Sequence, residues 1–135
     1  MTVALVPDAE ALVSQFLRSR DEITTLVAQR VFTAIPNDPT FPLLLVRRVA
    51  GAPVTSRPLH LDAPVIQLDA FGGSKKQAHD LLETARAVMA VGLEGKRAGG
   101  TVSGVRFGPM SWLPDADYTP ARARYTADVE IFLHP

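Results

Sequence analysis

The chain has 135 residues, 47% hydrophobic and 21% charged, which is the size and balance of one domain rather than two. Fourteen Lys and Arg residues offset fourteen Asp and Glu, so bulk charge supplies no drive toward nucleic acid or a membrane surface. With zero cysteines, a disulfide framework, a thiolate nucleophile and cysteine-bound zinc or iron–sulfur sites are all excluded.

The opening Met1-Thr-Val-Ala-Leu-Val6 is apolar but lacks a basic leading region and stops at Pro7-Asp8. It reads as a segment that packs or meets a neighbour, not as a signal sequence. From Asp8 to about Arg18, Ala9, Leu12, Val13, Phe16 and Leu17 keep the spacing of one helical face, which predicts an amphipathic helix. A second, short helix is expected from Asp21, whose carboxylate can cap the first turn, with Ile23, Leu26 and Val27 inward and an end near Arg30. Val31 to Ile35 is β-prone until Pro36-Asn-Asp-Pro39 breaks it.

Leu43 to Val49 predicts a strand whose first four residues are apolar on both faces and therefore covered twice. Gly51 to Leu61, with two prolines and no period, is expected to be a long connection, the kind of segment that often carries function. Val65 to Phe71 is a strand with Ile66, Leu68 and Ala70 opposite Gln67 and Asp69, ended by Gly72-Gly73. Ser74-Lys-Lys-Gln77 has the form of a capping box, and Ala78, Leu81, Leu82, Ala85, Val88 and Met89 hold helical spacing up to Gly92, which suits a left-handed helix end. Leu93 to Gly100 reads as an exposed loop. Two strands, roughly Val102 to Trp112 and Arg122 to Leu133, close the chain as a wide-looped hairpin. The expected fold is a single α+β domain over residues 1–135, with a mostly antiparallel four- to five-stranded sheet and its helices packed on one face.

Residues that could carry chemistry are few. His60, His79 and His134 are scattered and show no metal-ligand spacing. His60 and Asp62 could form an acid/base or metal-binding pair, but a solvated loop end is favoured because no further ligand completes a site. His79, beside Asp80 and Glu83, fits a solvent-facing imidazole paired on a helix. Gly72-Gly-Ser74 could catch an anion at a helix start, though a tight turn with a cap is the better reading. No Walker loop and no Gly-x-Ser-x-Gly elbow occurs. Trp112, next to Pro114-Asp115, is placed as an interface residue, because large rings supply much of the energy of protein contacts. No catalytic, cofactor-binding or metal-binding residue is assigned, and no run approaches the roughly 20 apolar residues that span a bilayer.

The order of these segments resembles the tail terminator, or tail completion, proteins of long-tailed bacteriophages and prophages. It rests on Arg30-Val-Phe-Thr-Ala-Ile-Pro36, Phe41-Pro42 leading to Arg48-Val-Ala-Gly51, and Asp62-Ala-Pro-Val-Ile-Gln-Leu-Asp-Ala-Phe-Gly72. It continues through Ser74 to Ala78, Gly104-Val-Arg-Phe-Gly-Pro109, Trp112-Leu-Pro-Asp115 and Arg124 to Pro135. The resemblance implies a virion subunit without catalytic residues or cofactor, assembled in the host cytoplasm into a ring, a hexamer in the family pattern. That ring would cap the head-proximal end of the tail tube, stop its growth and present a docking surface to head-completion proteins while genomic DNA passes through. On this reading Val54, Arg57, Leu59, His60 and Leu61, Lys96 and Arg97, and Trp112 are the candidate contacts with neighbouring copies or the tube, Lys96 or Arg97 also being able to touch passing DNA. A head-completion or neck protein is the first alternative. A small enzyme or ligand-binding domain using His60, Asp62 and the Ser74 turn is the second.

Overall fold

The structure is a computed structural model and describes residues 7–52, 61–97 and 99–135. Along the chain run α1 (Ala9–Arg18), α2 (Asp21–Val27), β1 (Val31–Phe32), β2 (Leu43–Ala50), β3 (Val65–Gly72), α3 (Lys75–Gly92), β4 (Gly95–Arg97), β5 (Gly100–Trp112) and β6 (Ala123–His134). The strands form one sheet in the order β1-β2-β3-β6-β5-β4, with every pair antiparallel except β1 with β2. The α+β class and the dominance of antiparallel pairing agree with the sequence, whereas the sheet has six strands instead of four to five.

The strand beyond that count is β4, and it and the shortened β1 form the two edges of the sheet. β1 is only Val31–Phe32 and ends well before Ile35, and its outward Val31 carbonyl accepts a 2.6 Å hydrogen bond from the Arg18 guanidinium of α1, which closes that edge. β4 lies where an exposed loop was expected. Gly95, Lys96 and Arg97 pair with Val102, Thr101 and Gly100 through their backbones, a contact that needs no apolar pattern and leaves none to read.

The core lies on the helix side of the sheet. Leu12, Val13, Phe16 and Leu17 of α1, Ile23 and Val27 of α2, and Leu81, Leu82, Ala85, Val88 and Met89 of α3 bury themselves in one cluster. From the strands, Leu44, Val46, Ile66, Leu68, Ala70, Ala127, Val129, Ile131 and Leu133 complete it. Leu26, expected inward, is instead 41% exposed, because Ile23 and Val27 already fill the face that α2 turns to the core. A second, smaller cluster of Leu43, Leu45 and Phe71, with Phe32 and Phe41 packed against it, lies on the opposite sheet face. The continuous apolar start of β2 is thus covered twice, as its composition requires.

Helix ends follow partly from side chains. Asp8 accepts from the Ala11 amide at 3.2 Å and caps α1. At α3, Ser74 Oγ accepts from the Gln77 amide at 3.1 Å, and the Gln77 side chain reaches back to the Gly73 amide at 2.6 Å. This reciprocal closure is the capping box expected from the sequence, displaced by one residue on its return bond. The start of α2 differs: Asp21 lies inside the first turn, and the cap position, Arg20, makes no side-chain capping bond. Gly92 also differs. It is the last helical residue of α3 rather than a left-handed terminator, and the Arg97 guanidinium closes that end by donating to the carbonyls of Gly92, Leu93 and Glu94.

Candidate assembly surfaces

The two ends of the sheet carry different surroundings. At the end where β3 leaves and β6 enters, the first turn of α3 stands between two different flanks. On the β5 flank, Lys75 Nζ lies 5.1 Å from the Trp112 ring centroid, Trp112 meets Tyr125 at 5.4 Å, and Tyr125 meets His79 edge-on at 5.3 Å. Trp112 and the following Leu113 remain 38% and 50% exposed, so the terminal turn of the β5 strand projects an apolar knob beside a lysine. On the α2 flank, Leu26, Pro42, Ser74, Lys76, Gln77, Asp80 and Leu81 enclose a cleft of about 320 Å³. At its rim Lys76 donates to Asp80 at 2.8 Å, and His79 approaches the other Asp80 oxygen at 3.2 Å. These bonds, the one from Lys76 first, hold the Asp80 carboxyl below its ordinary value, while the Asp80 carboxylate raises the Lys76 ammonium.

Behind this end, on the sheet face away from the helices, cations lie on rings. The Arg122 guanidinium sits 4.0 Å from the Phe41 centroid, and Arg124 lies 5.6 Å from that of Phe71 while donating to the Leu113 carbonyl at 2.7 Å. The hairpin loop is thereby tied to β6, with Asp115 and Arg122 bridging backbone to backbone. Further along the same face, buried Asp69 receives Arg47 at 3.1 Å and the Gln67 amide at 3.0 Å.

The other end gathers the base of the 51–61 connection, the start of α1 and the β4–β5 turn. Asp62 is only 3% exposed and takes the Arg48 guanidinium through two bonds, Nη1 to Oδ2 at 2.7 Å and Nη2 to Oδ1 at 3.1 Å. Asp62 also accepts from the Ala63 amide at 3.0 Å and exchanges backbone bonds with Leu133. This corrects the expectation of a solvated loop end. Asp62 is a buried fastener between β2 and β6, a role invisible in sequence because its partner lies on another strand. Glu10 of α1 adds a 2.8 Å bond from the Arg48 amide.

The sequence-derived contact residues are therefore spread over both ends. Val54, Arg57, Leu59 and His60 lie outside the described residues. Leu61 is half-buried beside Asp62, and Lys96 is exposed on the edge strand β4. Arg97 is committed to the end of α3 and also stacks over Phe16 at 5.1 Å, which leaves Lys96 as the outward cation of that pair. Trp112 alone belongs to the knob. Sequence reading missed the cleft, because Leu26 keeps core-face spacing with Ile23 and Val27 and nothing local marks it as exposed. Among the described residues no three His, Asp or Glu side chains converge in a metal-binding group, and no helix is long and apolar enough to cross a membrane.

These features define a small α+β domain with a helix-covered sheet, a capped edge at β1 and chemically distinct flanks. A chain of a solved structure described as the virion of native gene transfer agent (GTA) particle has this fold: the TM-score is 0.68 at 16% identity, covering 94% of this chain and 95% of that one. No curated protein matches the sequence. Residues 5–106 match the family model for phage tail termination protein, and the chain belongs to that family. It is a structural protein of the phage tail.

Proposed function

We propose that this chain is the subunit of a ring that caps the head-proximal end of the tail tube, ends tube polymerisation and offers the docking surface for the head. The family match over residues 5–106 carries this reading. The ring is a homo-oligomer, a hexamer in the proposed form, with one face on the tail-tube protein and the other on a head-completion or connector protein. Genomic DNA passes through its centre without sequence-specific binding. Closure of a ring uses a heterologous contact, one patch meeting a different patch on the next copy, and the unlike flanks of the α3 end suit that requirement.

The work is done by surface complementarity. A blunt tube end grows because each new subunit finds a matching ring below it, and a terminator matches that ring on one side only. Leu61, Lys96 and Trp112, together with Val54, Arg57, Leu59 and His60, are proposed as contact positions. The neck-protein alternative is favoured by no particular observation, and the enzyme alternative loses Asp62, which is occupied by Arg48. Deleting the gene from its phage tests the proposal: overlong tubes and filled heads without tails are expected, and normal-length tails joined to filled heads would refute it.

A further inference from the structure

The α3 end presents a knob and a hole on opposite flanks of one helix. Lys75 and His79 lean toward β5 and β6, where they meet Trp112 and Tyr125. Gln77 and Leu81, with Lys76 and Asp80 at the rim, lie on the other side toward α2 and line the cleft with Leu26 and Pro42. Trp112, Leu113 and Leu26 are three of the few large apolar side chains left exposed among the described residues, and all three are at this end.

We propose that the Trp112–Leu113 knob of one copy seats in the Leu26–Pro42–Leu81 cleft of the next copy around the ring. This assignment rests on the ring reading above and names its subunit contact. Three observations select a second copy as the occupant. Knob and cleft flank the same first turn of α3, so both stand at one end of the sheet and a rotation about a common axis brings them together repeatedly. The cleft, at about 320 Å³, lies within the roughly 300–1,000 Å³ range of pockets that enclose whole small molecules, so it has room for one or two apolar side chains. The charges are complementary as well. Lys75 beside the knob has no carboxylate partner among the described residues, while Glu22 stands one helical turn before Leu26 and is held only by Arg20 at 3.6 Å. Joining the flanks brings Lys75 toward Glu22, beside a rim whose Lys76 and Asp80 pair with each other, and covers both apolar patches at once.

Because the natural chain has no cysteine, every thiol that this chain brings to a cross-linking reaction is an introduced one. Tails assembled with the double variant Leu26→Cys/Leu113→Cys are treated with a short bismaleimide and run on a denaturing gel. A ladder of covalent multimers ending at the ring's subunit number is expected, with monomer alone from tails carrying either single variant. The pair Lys76→Cys/Leu113→Cys, both at exposed positions, reads the same contact if Leu26→Cys disturbs α2. Trp112→Ala is expected to weaken ring formation at least about tenfold, and Lys75→Glu to weaken it until Glu22→Lys is added. Tails of normal length that yield no ladder from either pair overturn the contact and leave the terminator reading standing. Normal tails in a phage lacking the gene overturn both together.

Discussion

Replacing Asp62 by Ala would leave the Arg48 guanidinium without its carboxylate at the point where β2, β6 and the 51–61 connection meet. Removing one partner of a buried ion pair costs about 3–5 kcal/mol, because the remaining charge stays desolvated. The Arg48 side chain is 34% exposed, so water recovers part of its solvation and the expected cost falls to about 2–3 kcal/mol. Loss of the acceptor for the Ala63 amide adds about 1 kcal/mol. A total near 3 kcal/mol corresponds to a fall of about 10 °C in Tm for a domain of this size. Urea and thermal unfolding followed by circular dichroism measure it. The companion change Arg48→Met should be costly alone, and Arg48→Met/Asp62→Leu should recover much of the loss, since an apolar pair leaves no stranded charge. An Asp62→Ala protein within about 0.5 kcal/mol of wild type, or strictly additive losses in the double variant, would refute the assignment of Asp62 as a fastener.

Four further outcomes are expected. Ser74→Ala should cost about 1 kcal/mol by uncapping α3, measured by urea unfolding. Gly51→Ala should destabilise severely or prevent folding: Gly51 has φ +97°, and an added Cβ would sit 2.7 Å from Pro64 Cα, so soluble yield and thermal unfolding decide it. Arg97→Ala should lower stability by about 1–2 kcal/mol through loss of the α3 end bonds and the Phe16 stack, whereas Lys96→Ala should stay within about 0.5 kcal/mol. For Asp80, whose folded-state value is lowered from 3.8, the stabilisation is present above that ordinary value and disappears as pH falls through the lowered one. The Tm gap between wild type and Asp80→Asn should accordingly be steady near neutrality and close in acid; a gap that widens in acid contradicts the Lys76 bond.

Elements whose burial repeats along the chain were legible before any coordinates. α1 and α3 show their buried faces in the spacing of Leu12, Val13, Phe16 and Leu17 and of Leu81, Leu82, Ala85 and Met89, and β6 shows its own in the alternation of Val129, Ile131 and Leu133. The Ser74 and Gln77 cap was legible because it closes within four residues. What escaped left no apolar period or recognisable cap to read, and for Asp62 the partner also lies on another strand. β4 is held by backbone bonds to β5, the end of α3 by an arginine from the next strand, and Asp62 by Arg48 on β2. The spacing of Ile23, Leu26 and Val27 points Leu26 inward because a seven-residue helix offers too few turns to separate a core face from an exposed apolar one. The same short range explains the candidate surface: Trp112 stands out locally as a large ring beside a turn, whereas the cleft exists only once α2, Pro42 and α3 come together.

Growth arrest of the tube by the purified chain tests the central claim most directly. Polymerising tail tubes supplied with this protein should stop at the length reached on addition, and electron microscopy should show one closed ring of it on a single end of each tube. Tubes that continue to lengthen with the protein bound along their sides, or without it at the growing end, would contradict the account.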